Sequence, residues 1–184
     1  MAKNIIVSNR LPIQLTKLDN SFEFTPTSGG LATGMNSVHK GQESLWIGWP
    51  GINNDEIDKR TWAPLKKSLK KEGYFPVSLN QKEIEDFYYG LSNKSLWPLF
   101  HYFIEFSVFD EMQWSSYQQV NQKFADSVLQ NIEKGDTVWI HDYQLLLCPK
   151  MIKDIRPDVT IGFFLHIPFP SFEIFRIFPW REPL

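Results

Sequence analysis

The chain has 184 residues, 42% apolar and 22% charged, which suits one globular domain with a real core. Nineteen basic residues against 21 acidic ones give a net charge of −2, so nothing in the composition points to nucleic acid. A single Cys148 excludes an internal disulfide and a multi-cysteine metal site, and the run Leu145-Leu146-Leu147-Cys148-Pro149 makes a buried, inert thiol the expectation.

The first predicted strand is Asn4 to Ser8, broken by Asn9-Arg10-Leu11-Pro12. Ile13 to Leu15 and Phe22 to Thr25 flank Asp19-Asn20 as a small hairpin. A glycine-rich turn from Ser28 to Met35 opens a helix reaching about His39. Leu45 to Trp49 reads as a buried strand stopped by Pro50-Gly51. Asp55 to Glu72 is helical, with Gly73 as the stop, and Tyr74 to Leu79 is a strand. Asn80 with Glu83 three residues on forms a capping box, so a helix carrying Phe87, Tyr88 and Leu91 starts there. A second helix covers Lys94 to Tyr102. The clearest helix is Asp110 to Lys134, where Trp114, Tyr117, Phe124, Val128 and Ile132 recur at helical spacing before Gly135.

Strand Thr137 to Ile140, helix Leu145 to Asp154 and strand Thr160 to Leu165 make a β-α-β unit. Right-handed crossover makes the strands parallel, and their continuous hydrophobicity predicts helices on both faces. Phe172 to Phe178 is helix-like, and the chain then ends at Leu184 without a cap or polar tail. That ending predicts a fragment of something longer. No apolar run has the roughly 18 residues of a membrane span, and the run after Met1 is too short for a signal peptide. A cytoplasmic location is the default.

Three apolar runs end in polar residues at one sheet edge: Ile5-Ile6-Val7-Ser8 at Asn9-Arg10, Thr137-Val138-Trp139-Ile140 at His141-Asp142, and Ile161 to Leu165 at His166. In open α/β sheets ligands bind outside the carboxyl ends of the strands. Arg10 can grip a phosphate with a bidentate fork, or pair with a carboxylate at the surface. Asp142 can accept sugar hydroxyls, act as a base, or cap the helix after it. His166 sits before the stiff Ile167-Pro168-Phe169-Pro170 turn, as a substrate partner or a satisfied core histidine. Strand alternation points His141 away from Asp142, so His141 is set aside. Gly29-Gly30 before a helix suits a phosphate, or an ordinary tight turn. His39, His101, His141 and His166 are scattered, so no metal site stands out.

Together these stretches resemble the amino-terminal part of the trehalose-6-phosphate synthases, glycosyltransferase family 20. The resemblance rests on Val7-Ser8-Asn9-Arg10-Leu11-Pro12, Gly29-Gly30-Leu31-Ala32-Thr33-Gly34, Trp46-Ile47-Gly48-Trp49-Pro50-Gly51 and the segment Ser92-Asn93 to Tyr102. It is completed by Val138-Trp139-Ile140-His141-Asp142-Tyr143 and Gly162 to Pro170. It implies a GT-B enzyme of two Rossmann-like domains, with residues 1–184 as the acceptor-side domain and the nucleotide-sugar domain absent from this chain.

The implied reaction joins UDP-glucose and glucose 6-phosphate into trehalose 6-phosphate and UDP, with retention, no cofactor and no metal in the site. By the same resemblance Arg10 and Tyr88 hold the phosphate of glucose 6-phosphate. Trp97 and one of Trp46 or Trp49, with Trp49 favoured, line the acceptor pocket. Asp142 contacts acceptor hydroxyls, His166 contacts the donor glucose, and Gly29 and Gly30 lie against UDP. A transferase with another acceptor and a non-catalytic sugar-phosphate sensor stay open as alternatives, as does a homo-oligomer. The 184 residues alone are expected to be inactive.

Overall fold

The computed structural model describes residues 2–18, 21–27, 34–35 and 44–184. Strand β1 (Asn4–Arg10) is followed by the hairpin of β2 (Ile13–Leu18) and β3 (Ser21–Pro26), then by β4 (Ser44–Trp49). Helix α1 (Lys59–Lys71) leads into the short β5 (Tyr74–Pro76). A continuous helix α2 then runs through Gln81–Glu83, the π-helical Ile84–Leu96 and Trp97–Phe100. Helix α3 (Glu111–Leu129), strand β6 (Thr137–His141), helix α4 (Cys148–Ile155), strand β7 (Thr160–Phe164) and the single turn α5 (Phe172–Phe175) follow.

The main sheet has the order β5-β4-β1-β6-β7, and every pairing in it is parallel. β2 and β3 pair antiparallel as a separate ribbon. From β1 the chain builds outward through β4 and β5, then returns to add β6 and β7 on the other side. The direction of winding therefore reverses between β1 and β6, and a doubly wound sheet opens a crevice at such a point.

Alternation along the strands divides the core. Ile5, Val7, Ile47, Val138 and Ile140 face α2, α3 and α4, meeting Leu91, Phe124 and Ile152. Ile6 and Trp46 face the other way, onto Leu65 and Leu69 of α1 and onto Tyr74. The predicted stripe of α3, Trp114, Tyr117, Phe124 and Val128, is buried throughout. Asn80 closes its capping box, accepting from the Glu83 N–H at 2.8 Å while Glu83 accepts from the Asn80 N–H at 3.0 Å. Cys148 is fully buried, and burial pushes its thiol up.

Several expectations are corrected. α1 starts at Lys59, not Asp55, because Asp58 takes the cap and accepts from the N–H groups of Arg60 and Thr61. The two helices expected between Asn80 and Tyr102 are one, since the wider π turns carry the chain past Gly90 without a break. α3 stops at Leu129, ahead of the predicted Lys134. β7 is not covered on both faces: it is the sheet edge, and Phe163 and Phe164 are exposed. An apolar run reports a capacity for burial, not the presence of a neighbour. The helix expected to reach His39 lies mostly outside the described residues, as do Gly29 and Gly30. Among the described residues no helix is long and apolar enough to cross a membrane.

Candidate active site at the carboxyl edge of the sheet

β1 ends in a register shift against β4 between Val7 and Arg10, which turns Arg10 out to the surface. Two glycines make room for that turn. A Cβ on Gly48 would stand 2.8 Å from the Leu11 nitrogen and 3.0 Å from the Ser8 oxygen, so only glycine lets β4 pass this close. Gly51 has φ +82°, and a Cβ there would meet the Arg10 guanidinium at 2.2 Å. The guanidinium thus lies in the space of a missing side chain, 4.7 Å over the Trp49 ring. The Trp49 indole donates to the Ile52 carbonyl at 2.9 Å, which fixes that ring, and Tyr88 packs on it with centroids 6.0 Å apart. Arg10, Trp49 and Tyr88 form one group.

Trp46 is buried on the opposite face and donates to the Ser8 hydroxyl at 2.8 Å, so Trp49 is the tryptophan beside Arg10. Trp97 is 40% exposed, and its ring stacks on His101 at 4.1 Å.

Across the crevice, Asp142 follows β6 with φ +78°. Its Oδ1 accepts from the Tyr143 N–H at 3.0 Å and the His166 N–H at 3.2 Å. The carboxylate thus caps the 3-10 turn Tyr143–Leu145 and ties the end of β6 to the segment after β7. The Tyr143 hydroxyl donates to Asn93 of α2 at 2.9 Å, joining the π-helix to the same edge. Burial, then the charge of Asp142, holds the Tyr143 phenol well above its ordinary range. It serves as a neutral donor.

His141, set aside on alternation, belongs to this group. Its Nδ1 lies 3.0 Å from Nε2 of His166, with ring centroids 5.3 Å apart and the planes 27° from one another. The positive φ of Asp142 breaks the strand geometry on which alternation depends, and no sequence signal announces it. Burial first, and the neighbouring His166 second, bring the His141 imidazole down to about 4, so it is neutral near pH 7. Gly51 was equally unmarked, beyond its place in a Pro-Gly turn. Among the described residues no three metal-ligating side chains gather.

The family model for Glycosyltransferase family 20 matches residues 2–184. The chain belongs to glycosyltransferase family 20. The family 20 chain is 45% identical over 186 residues to an alpha,alpha-trehalose-phosphate synthase (UDP-forming) of Botryotinia fuckeliana, with 98% of this chain and 35% of the relative covered. It thus spans about a third of that relative's length.

Among solved structures, the N-terminal domain of a Candida albicans trehalose-6-phosphate phosphatase superposes with TM-score 0.81 at 28% identity, over 100% of this chain and 37% of that one. An E. coli trehalose-6-phosphate structure bound with UDP-2-fluoro glucose gives 0.77 at 31%, over 98% and 36%. A Burkholderia xenovorans synthase in complex with glucose-6-phosphate gives 0.74 at 27%, over 97% and 36%. A groove of 410 Å³ between β3 and α1 is lined by Phe24, Arg60 and Leu65, none of which is at the end of β1, β4, β6 or β7.

Proposed function

We propose that the chain is the acceptor-side domain of a GT-B trehalose-phosphate synthase, which transfers glucose from UDP-glucose to glucose 6-phosphate with retention. The reading is carried by the Arg10–Trp49–Tyr88 group, a cation fixed over an aromatic platform at the winding reversal. Arg10 and Tyr88 bind the 6-phosphate, by charge-assisted hydrogen bonds from the guanidinium and one from the phenol. Trp49 and Trp97 line the sugar, and Asp142 accepts from its hydroxyls. His166 contacts the donor glucose near its anomeric carbon, and Gly29 and Gly30 lie against UDP. In the transfer, the bond from the anomeric carbon to the diphosphate breaks and the electron pair leaves with UDP. The acceptor hydroxyl forms the new bond, and its proton passes to the departing phosphate. The domain contributes orientation, which removes much of the entropic barrier.

A second domain on the same polypeptide would complete the cleft with cations for the leaving diphosphate. The 184 residues alone then lack the main electrostatic contribution and turn over little or nothing. The test is calorimetry of glucose 6-phosphate against glucose on the wild type and on Arg10→Ala. The phosphate should strengthen binding to the wild type only, and equal affinities in both proteins would defeat the assignment. A non-catalytic sugar-phosphate sensor is the second reading, supported by the likeness to the Candida albicans phosphatase domain. Turnover by the complete polypeptide with UDP-glucose separates the two. The domain is proposed to act in the cytoplasm.

A further inference from the structure

The pair of imidazoles behind Asp142 carries more than packing. His141 Nδ1 and His166 Nε2 are 3.0 Å apart, so one proton lies between them. There are two ways to place it when both rings are neutral. If His166 donates from Nε2, then His141 must carry its own proton on Nε2. That nitrogen is buried and has no hydrogen-bond partner among the described residues. A buried N–H with no acceptor is among the rarest features of folded proteins. If instead His141 donates from Nδ1, its Nε2 is a bare lone pair, and no orphaned donor is created. The surroundings suit such a nitrogen, since the ring is flanked by Trp139 and Phe164 with centroids at 4.9 and 6.5 Å. The second arrangement also forces the state of the outer ring. His166 accepts at Nε2, so its proton is on Nδ1.

We propose that His141 is a positioning residue that holds His166 in the Nδ1–H tautomer, so that this exposed histidine meets the sugar as a hydrogen-bond donor. The role in transfer rests on the proposed glycosyltransfer; the tautomer does not. Two restraints converge on the outer ring. Its backbone N–H is held by Asp142 at 3.2 Å, and its Nε2 by His141, which meets it edge to edge with ring centroids 5.3 Å apart. The aromatic residues and Asp142 are the described groups against this pair, and burial keeps the inner ring uncharged, so it acts through its hydrogen bond and not as a cation. A donor at a fixed place suits a hydroxyl oxygen of the donor glucose, and holds the sugar in one orientation while its bond to the diphosphate breaks.

The chain labelled with 15N-histidine gives the direct test, because ring nitrogen shifts and couplings distinguish the tautomers. In the wild type at pH 7.5 we expect protonated Nδ1 and bare Nε2 on His166, and protonated Nδ1 on His141. A proton on Nε2 of His166 would overturn the proposal whatever the enzyme does. His141→Leu should release His166 into a mixture of tautomers. His141→Asn, which keeps an N–H donor on the same carbon, should restore one form. If the leucine variant does not fold, the wild-type spectrum still decides. In the complete polypeptide, His141→Leu should lower kcat about tenfold or more, by analogy with other residues that orient a functional histidine. KM for glucose 6-phosphate should hold and His141→Asn should recover most of the rate. A leucine variant with wild-type kcat removes the positioning role. A correct tautomer in a polypeptide that transfers no glucose would refute the proposed function and leave the tautomer assignment standing.

Discussion

Replacing Gly51 by alanine tests whether the empty space beneath Arg10 matters. The new Cβ would start 2.2 Å from Nη2 and 2.5 Å from Cζ of Arg10. Ordinary contact begins near 3.4 Å, so the guanidinium must move by about 1.2 Å, the difference between 3.4 and 2.2. The φ of +82° adds about 1–2 kcal/mol of backbone strain for any residue with a Cβ. Sliding Arg10 off Trp49 forfeits a cation–π contact of about 0.5–1 kcal/mol. Stability should therefore fall by roughly 1.5–3 kcal/mol, or several degrees in Tm for a chain of this size. Phosphate recognition should suffer separately. A hydrogen bond between charged groups contributes about 1.5–3 kcal/mol, so one misaligned contact weakens glucose 6-phosphate by roughly ten- to a hundredfold. Titration calorimetry with glucose 6-phosphate and with glucose, beside a thermal melt, reads both effects. Unchanged glucose 6-phosphate affinity at the lowered Tm would show that the position of Arg10 does not govern binding, and the reasoning would fail.

Removing the cap of α2 by Asn80→Ala should cost about 1 kcal/mol, seen as a shifted urea midpoint with unchanged slope. No shift would mean that the π-helical segment holds itself together. Phe124→Ala, which empties a fully buried site beneath the sheet, should cost about 3–5 kcal/mol in the same titration. Stability should also fall on acidification between about pH 6.5 and 4. His141 takes up a proton in the unfolded chain near 6.5 but in the fold only near 4, so the unfolded state binds more protons in that window. The loss is on the order of 3 kcal/mol at most, and His141→Leu should flatten the profile if the variant folds. Cys148 should not react with a thiol reagent until the protein is unfolded, because burial disfavours the thiolate.

Much of this fold is legible in the sequence. Parallel strands follow from apolar runs separated by a helix, and the capping box at Asn80 followed from two residues. Arg10, Asp142 and His166 could be assigned to one edge because each ends such a run. What could not be read depended on contacts distant in sequence or on unusual backbone. His141 joined the site because Asp142 takes a positive φ, and strand periodicity carries no trace of that. Which tryptophan lay beside Arg10 was decided by the Ser8 hydroxyl, 38 residues from Trp46 in the chain. Asp142 proved to be a cap at the end of β6, the reading that its place before a turn had offered.

The thirteen π-helical residues of Ile84–Leu96 also set a limit on how this sequence can drift. In a π-helix the hydrogen bond spans i to i+5 and each turn takes more residues, so Tyr88 and Asn93 stand nearer in angle than on an α-helix, one toward Trp49 and the other toward Tyr143. An α-helix would turn them well apart, because each residue rotates it by about 100°. Losing a single residue here could relax the segment toward an α-helix without breaking it, yet Tyr88 and Asn93 would no longer face their partners together. The stretch therefore tolerates exchange of its surface side chains far better than any change of length.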